Sequence, residues 1–242
     1  MPYVEKSRRS IWTWGFQKDE PTDEDRIKHA GKLSRKLGME IRVPPIPVAS
    51  DLVLRKPRID LPDSLRHFCF TDNYERAMHS YGAERELAAL GEFSNPPDVV
   101  AHPSDEVELE QVLEWCDKNK YVTIPYGGGS SVVGGVTPPL DIGPVVTIDM
   151  DQFDRIVEID DVSRAARIQA GIFGPNLENQ LRPSDHTLRH FPQSFVESTL
   201  GGWIATRSGG HYATNHTHID DFVESIRMLT PSGWWESGEC LS

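Results

Sequence analysis

The feature that most constrains this chain is a glycine loop, Pro125-Tyr126-Gly127-Gly128-Gly129-Ser130-Ser131-Val132-Val133-Gly134-Gly135. It follows the apolar run Tyr121-Val122-Thr123-Ile124, which reads as a strand delivering the backbone into the turn. Three consecutive glycines remove every Cβ from that turn, so the main chain can take positive φ and press against a ligand. Successive N–H groups in such a turn form a concave nest for an anion. Ser130 and Ser131 add hydroxyl donors. That donor set suits a pyrophosphate, and through it a nucleotide cofactor.

Neither common phosphate loop is present. A Walker loop would end in Gly-Lys-Ser/Thr, and no lysine follows these glycines. A dinucleotide fingerprint would open a helix, whereas Val132, Val133, Gly134, Gly135, Pro138 and Pro139 are poor helix material. Taken alone, the loop fits a ligand-free surface turn as well as an anion site.

A second landmark is the run Phe191-Pro192-Gln193-Ser194-Phe195-Val196-Glu197-Ser198-Thr199-Leu200-Gly201-Gly202-Trp203-Ile204-Ala205-Thr206-Arg207-Ser208-Gly209-Gly210. Ser198 or Thr199 can cap a helix beginning near Leu200. Gly201 and Gly202 would let that helix start lie against another backbone or a flat ring, where its partial positive charge favours phosphate. Close helix–sheet packing explains Gly201, Gly202 and Ala205 equally well, and both readings stand.

The two landmarks together resemble the FAD-binding (PCMH-type) domain of the vanillyl-alcohol-oxidase superfamily, in the branch typified by alkyldihydroxyacetonephosphate synthase. Ile168-Gln169-Ala170-Gly171-Ile172-Phe173-Gly174, Ile219-Asp220-Asp221-Phe222-Val223-Glu224 and Thr230-Pro231-Ser232-Gly233 follow in the family's order, so the likeness runs over about residues 95–235. The resemblance implies an FAD-binding domain of two α/β subdomains. It implies that Pro125, Tyr126, Gly127, Gly128, Gly129, Ser130 and Ser131 hold the FAD pyrophosphate. Pro192, Ser194, Ser198, Thr199, Gly201, Gly202, Thr206, Arg207 and Ser208 are implied to line the cofactor too. In some related oxidases a histidine of the first glycine loop is bound to flavin. The equivalent position here is Gly129, so the expected FAD is non-covalent, and attachment through His211 is not expected.

Composition sets the outer limits. The chain has 242 residues and a formal charge of −12, which argues against a nucleic-acid partner. Arg207 is the basic group best placed to meet an anion, while Arg8-Arg9 and Lys32 through Lys36 read as solvated faces. Cys69, Cys116 and Cys240 are too few and too widely spaced for a disulfide framework or a zinc knuckle. No apolar run is long enough to span a membrane and no targeting signal is visible, so a cytoplasmic location is expected.

The chain reads as an α+β protein with a mostly helical or irregular leading segment over residues 1–92 and the FAD-binding domain over residues 93–242. Helices are expected at residues 23–37, capped by Thr22 and ended by Gly38, and at 73–81 and 84–90. The domain should open with a βαβ unit: a strand at 97–101, a helix capped by Ser104 carrying Val107, Val112, Leu113 and Cys116, and a strand at 121–124. Short strands are expected at 144–149, 155–159 and 165–170, a helix at 174–181, and a late strand at 222–229.

His216-x-His218, within a group that also holds His186, His190 and His211, could form half a metal site, but no close acidic or cysteine partner completes it. No metal is expected. In the resembling branch a substrate-binding cap carries the catalytic groups, and it is expected to be absent here. Trp234 to Ser242 has no strand or cap signature and reads as an abrupt end, so catalytic residues remain unknown. The resemblance implies the FAD-binding portion of an alkylglycerone-phosphate synthase, which exchanges the acyl chain of acyl-dihydroxyacetone phosphate for a fatty alcohol in making an ether lipid precursor. The substrate, a small molecule or a lipid, would be met through the cap. An FAD-linked 2-hydroxy-acid dehydrogenase or oxidase, or a non-catalytic flavin-binding fragment, are the alternatives. A homodimer is left open.

Overall fold

The structure, a computed structural model, describes residues 8–210 and 218–238. The main sheet has the order β1-β2-β4-β3, built from β1 (Cys69–Phe70), β2 (Val99–Ala101), β3 (Val122–Tyr126) and β4 (Val145–Asp149). Strands β2, β4 and β3 are mutually parallel, and β1 adds antiparallel to β2. Every residue of β4 is buried, as a central parallel strand covered on both faces requires. The expected βαβ unit is present with one refinement. Strands β2 and β3 do not pair directly, because the later β4 inserts between them. Strand β3 is thereby an edge, which is where Pro125, lacking an N–H, costs the ladder least.

Five helices accompany the strands among the described residues. Helix α1 (Asp23–Leu37) begins where Thr22 Oγ1 accepts from Asp25 N and ends at Gly38 in the left-handed region, as its sequence predicts. Helix α2 (Asn73–Met78) is shorter than expected, and of residues 84–90 only Ala88–Leu90 closes, as a single 3-10 turn. Helix α3 (Glu106–Asn119) takes its cap from Asp105 rather than Ser104. Ser104 is instead held from behind, its N and Oγ donating to Glu108 Oε2 at 2.7 and 2.9 Å. Val112 and Cys116 of α3 pack on Val99, Ala101, Val146 and Ile148 of the sheet. The leading segment joins this core through Ile59, Leu61, Leu65, Phe68 and Cys69.

A second layer holds the hairpin β5 (Ile156–Asp160) and β6 (Ala165–Ile168) with helices α4 (Gly174–Leu181) and α5 (Leu200–Ala205). Its core is Ile172, Leu177, Leu181, Leu200, Trp203 and Ile219. A last hairpin pairs β7 (Arg227–Thr230) with β8 (Gly233–Glu236), so Trp234–Glu236 form a strand where the sequence predicts none. The late strand therefore starts at Arg227 rather than residue 222. Asp221 N and Val223 N bond back to the carbonyls of His218 and Asp220, closing a 3-10 turn over Ile219–Phe222. Among the described residues no helix is long and apolar enough to cross a membrane.

Candidate cofactor site

The glycine loop leaves the sheet from the carboxyl end of β3, the edge at which parallel α/β sheets present ligands. Pro125 is exposed within β3, while the Tyr126 ring is buried beneath the loop. The Tyr126 hydroxyl donates to Tyr81 O at 3.2 Å and accepts from Arg85 at 3.4 Å, so this side chain is a support under the turn. Gly129 takes φ +64, the left-handed conformation the triple glycine allows. The N–H groups of Gly128, Gly129 and Ser130, and the Ser130 hydroxyl, bond to nothing among the described residues. Ser131 is used differently. Its carbonyl accepts from Ala83 N at 2.7 Å and its hydroxyl from Gly135 N at 2.9 Å, which pins the far end of the loop.

The second motif packs directly against the first. Cβ atoms built on Gly127 and Gly128 would collide with Thr199 Oγ1 and Glu197 O, so only glycine permits this approach. Ser198 is 3 % exposed, and its hydroxyl is fully occupied. It donates to Ser194 O at 2.7 Å and accepts from Ser194 Oγ at 3.0 Å and from Trp203 Nε1 at 2.6 Å. Thr199, not Ser198, caps α5, accepting from Gly202 N at 3.4 Å. Gly201 lies against Ala170, to whose carbonyl it donates at 2.8 Å. Pro192 is buried, Gly202 is exposed, and the Thr206 hydroxyl bonds back to Gly202 O at 2.9 Å. Ser208 sits beside His190, with its Oγ 3.3 Å from the ring Nε2. Arg207 points outward and pairs with Asp220 Oδ2 at 2.5 Å. His211 and His216 fall outside the described residues.

Under the loop lies a buried charged network that spacing in the sequence does not reveal. Arg9 donates to Gly127 O at 2.9 Å and pairs with Asp149, whose side chain is fully buried. The expectation that Arg9 is solvated is therefore corrected: its side chain is 15 % exposed and held by a carboxylate and a carbonyl. Asp149 also meets His79 Nε2 at 2.8 Å and accepts from Asp151 N at 3.0 Å. His102 bridges Asp151 at 2.9 Å and Glu75 at 3.1 Å. Burial alone would push the Asp149 carboxyl up, but the Arg9 charge and the His79 hydrogen bond hold it well below the usual carboxylate range. Burial likewise opposes charge on His102, yet its bonds to Asp151 and Glu75 raise its pKa from 6.5 to about 10. Potential ligand atoms of Glu75, His79 and His102, and of His102, Asp149 and Asp151, lie within 4.8 Å of one another. Each of these side chains already has a charged or hydrogen-bonded partner in the network. The one local hint in the sequence is Asp149 itself, a carboxylate closing the mostly apolar strand Val145-Val146-Thr147-Ile148.

A parallel sheet feeding a glycine loop with unused amide donors, closed by a second glycine-containing segment, defines a nucleotide-cofactor domain of the flavoprotein type. Residues 97–237 match the FAD binding domain family, and the chain belongs to it; its cofactor is FAD. The unused donors at 128–130 fit the pyrophosphate of that cofactor. The chain is 38 % identical over 179 residues to alkyldihydroxyacetonephosphate synthase of Dictyostelium discoideum, covering 73 % of this chain and 29 % of that protein. To the Trypanosoma brucei brucei protein of the same name it is 32 % identical over 215 residues, covering 87 % of this chain and 34 % of the relative. A solved alkyldihydroxyacetonephosphate synthase superposes with TM-score 0.82 at 26 % identity, covering 99 % of this chain and 50 % of that one. A mitochondrial D-lactate dehydrogenase of Saccharomyces cerevisiae is 26 % identical over 166 residues, covering 67 % of this chain and 28 % of that protein. The chain thus spans about a third of the length of the curated synthases it matches.

Proposed function

We propose that this chain forms the FAD-binding part of a flavoenzyme acting as an alkylglycerone-phosphate synthase, with the cofactor held non-covalently. The observation that carries this reading is the set of unpartnered amide donors at residues 128–130, in a loop whose Gly127 and Gly128 pack against Glu197–Thr199. Bound FAD would supply an electron-accepting ring system. The chain's own residues would bind and orient it, through Gly128, Gly129 and Ser130 at the pyrophosphate and through the 192–208 segment alongside. Residues 1–92 and 93–242 act in this reading as a leading support and a cofactor domain. The substrate, a small molecule or a lipid, would be held by protein outside the described residues, and a homodimer and a cytoplasmic location complete the proposal. The lower identity to D-lactate dehydrogenase places 2-hydroxy-acid oxidation second.

The test is the visible spectrum of the purified chain after incubation with FAD and removal of free cofactor. A retained, protein-shifted flavin band at one FAD per chain is the expected result. A folded, colourless chain would sink the reading.

A further inference from the structure

We propose that Arg9 is a positioning residue for the cofactor loop, fixing the Gly127–Gly128 peptide so that the Gly128 N–H is presented to the FAD pyrophosphate; this rests on the reading that the loop holds that group. Arg9 Nη1 donates to Gly127 O at 2.9 Å across 118 residues of sequence. A trans peptide is planar, with its C=O and N–H on opposite sides, so holding the carbonyl fixes where the amide points. Between two glycines that peptide could otherwise rotate at little steric cost. The Gly128 N–H has no acceptor among the described residues and is the donor thereby aimed. A charged donor on the carbonyl also polarises the peptide and strengthens its N–H as a donor.

Arg9 is itself tightly held. Its own carbonyl accepts from the Tyr74 hydroxyl at 2.9 Å, and its backbone forms a bridge with Phe16. Its second guanidinium nitrogen is paired with Asp149, which His79 and the Asp151 amide lock from the other side. Arginine's fork serves Gly127 and Asp149 at once, whereas a lysine ammonium is a single point without that fixed spread. The leading segment is thus part of the cofactor site without having to touch the cofactor.

The experiment is a fluorescence titration of FAD and of riboflavin, which lacks the pyrophosphate, into wild type, Arg9→Lys and Arg9→Met, with melting temperatures in parallel. The expected result is FAD binding weakened by about tenfold or more in Arg9→Lys, which keeps the charge beside Asp149, with riboflavin binding and melting temperature close to wild type. Equal weakening of both flavins, or FAD binding like wild type in folded variants, would overturn the role of Arg9. A measurement on wild type guards against variants that fail to fold. Because coupling is reciprocal, FAD should slow amide exchange at residues 9–17 as well as at 127–131. Protection confined to the loop would also overturn the proposal. Failure of wild type to bind FAD, or wild-type binding by Gly128→Ala, would instead overturn the pyrophosphate reading on which it rests.

Discussion

The carbonyl oxygen of Glu197 occupies the space a Cβ on Gly128 would need. Two segments some seventy positions apart therefore meet backbone to backbone, and neither can retreat by changing a rotamer. Gly128→Ala is expected to part them, with an overpacking cost of about 1–3 kcal/mol and loss of retained flavin. Gly143→Ala, where a new Cβ meets nothing within 4 Å, is the control and should melt like wild type. Thermal unfolding and the flavin band of the two variants check this. A Gly128→Ala chain that melts and holds FAD normally would show that the contact does not matter.

Ser198→Ala tests the support of the second segment. Trp203 is 2 % exposed, and its Nε1 donates to the Ser198 hydroxyl. Removing that acceptor strands a buried donor, at a cost of about 1–3 kcal/mol. Denaturant unfolding should show a lower midpoint with an unchanged slope. No change in midpoint would mean that the indole finds another partner.

How much of this was legible in the sequence differs by element. Helices α1 and α3 and strands β2, β3 and β4 announce themselves by apolar spacing and by caps a few residues away, because those signals are local. The insertion of β4 between β2 and β3, and the two-residue β1, are pairings between distant segments that no window contains. Spacing also overstates burial: in α1 only Ala30 is buried, while Ile27, Leu33 and Leu37 remain exposed. Both glycine motifs are visible in the sequence, which offers Ser198 or Thr199 as the cap of α5, and packing around Trp203 leaves that role to Thr199. Arg207 was visible as a cation, but its pairing with Asp220 was not. The network under the loop was hidden most completely. Arg9, His79, His102 and Asp149 come from four segments, and an arginine near the chain's start looks solvated until Asp149 is folded against it.

The network makes stability depend on pH through His102. Its folded pKa is raised to about 10 from 6.5, so its contribution is fully present below about 6.5 and is lost as pH rises through about 10. Between those limits the folded state holds one proton that the unfolded state releases, a slope of about 1.4 kcal/mol per pH unit from this group. The buried thiols Cys69 and Cys116 are pushed up by burial from 9.0, so they penalise folding only as pH approaches and passes that value. Unfolding free energy is therefore measured from pH 6.5 to 8.5, below the titration of those thiols, and the share of His102 is the difference between wild type and a variant that lacks it. Wild type should lose stability steadily over that range. His102→Gln, which can still hydrogen-bond but cannot titrate, should be less stable at pH 6.5 and nearly flat across the range. Equal slopes in the two proteins would show that His102 is not held protonated between Asp151 and Glu75.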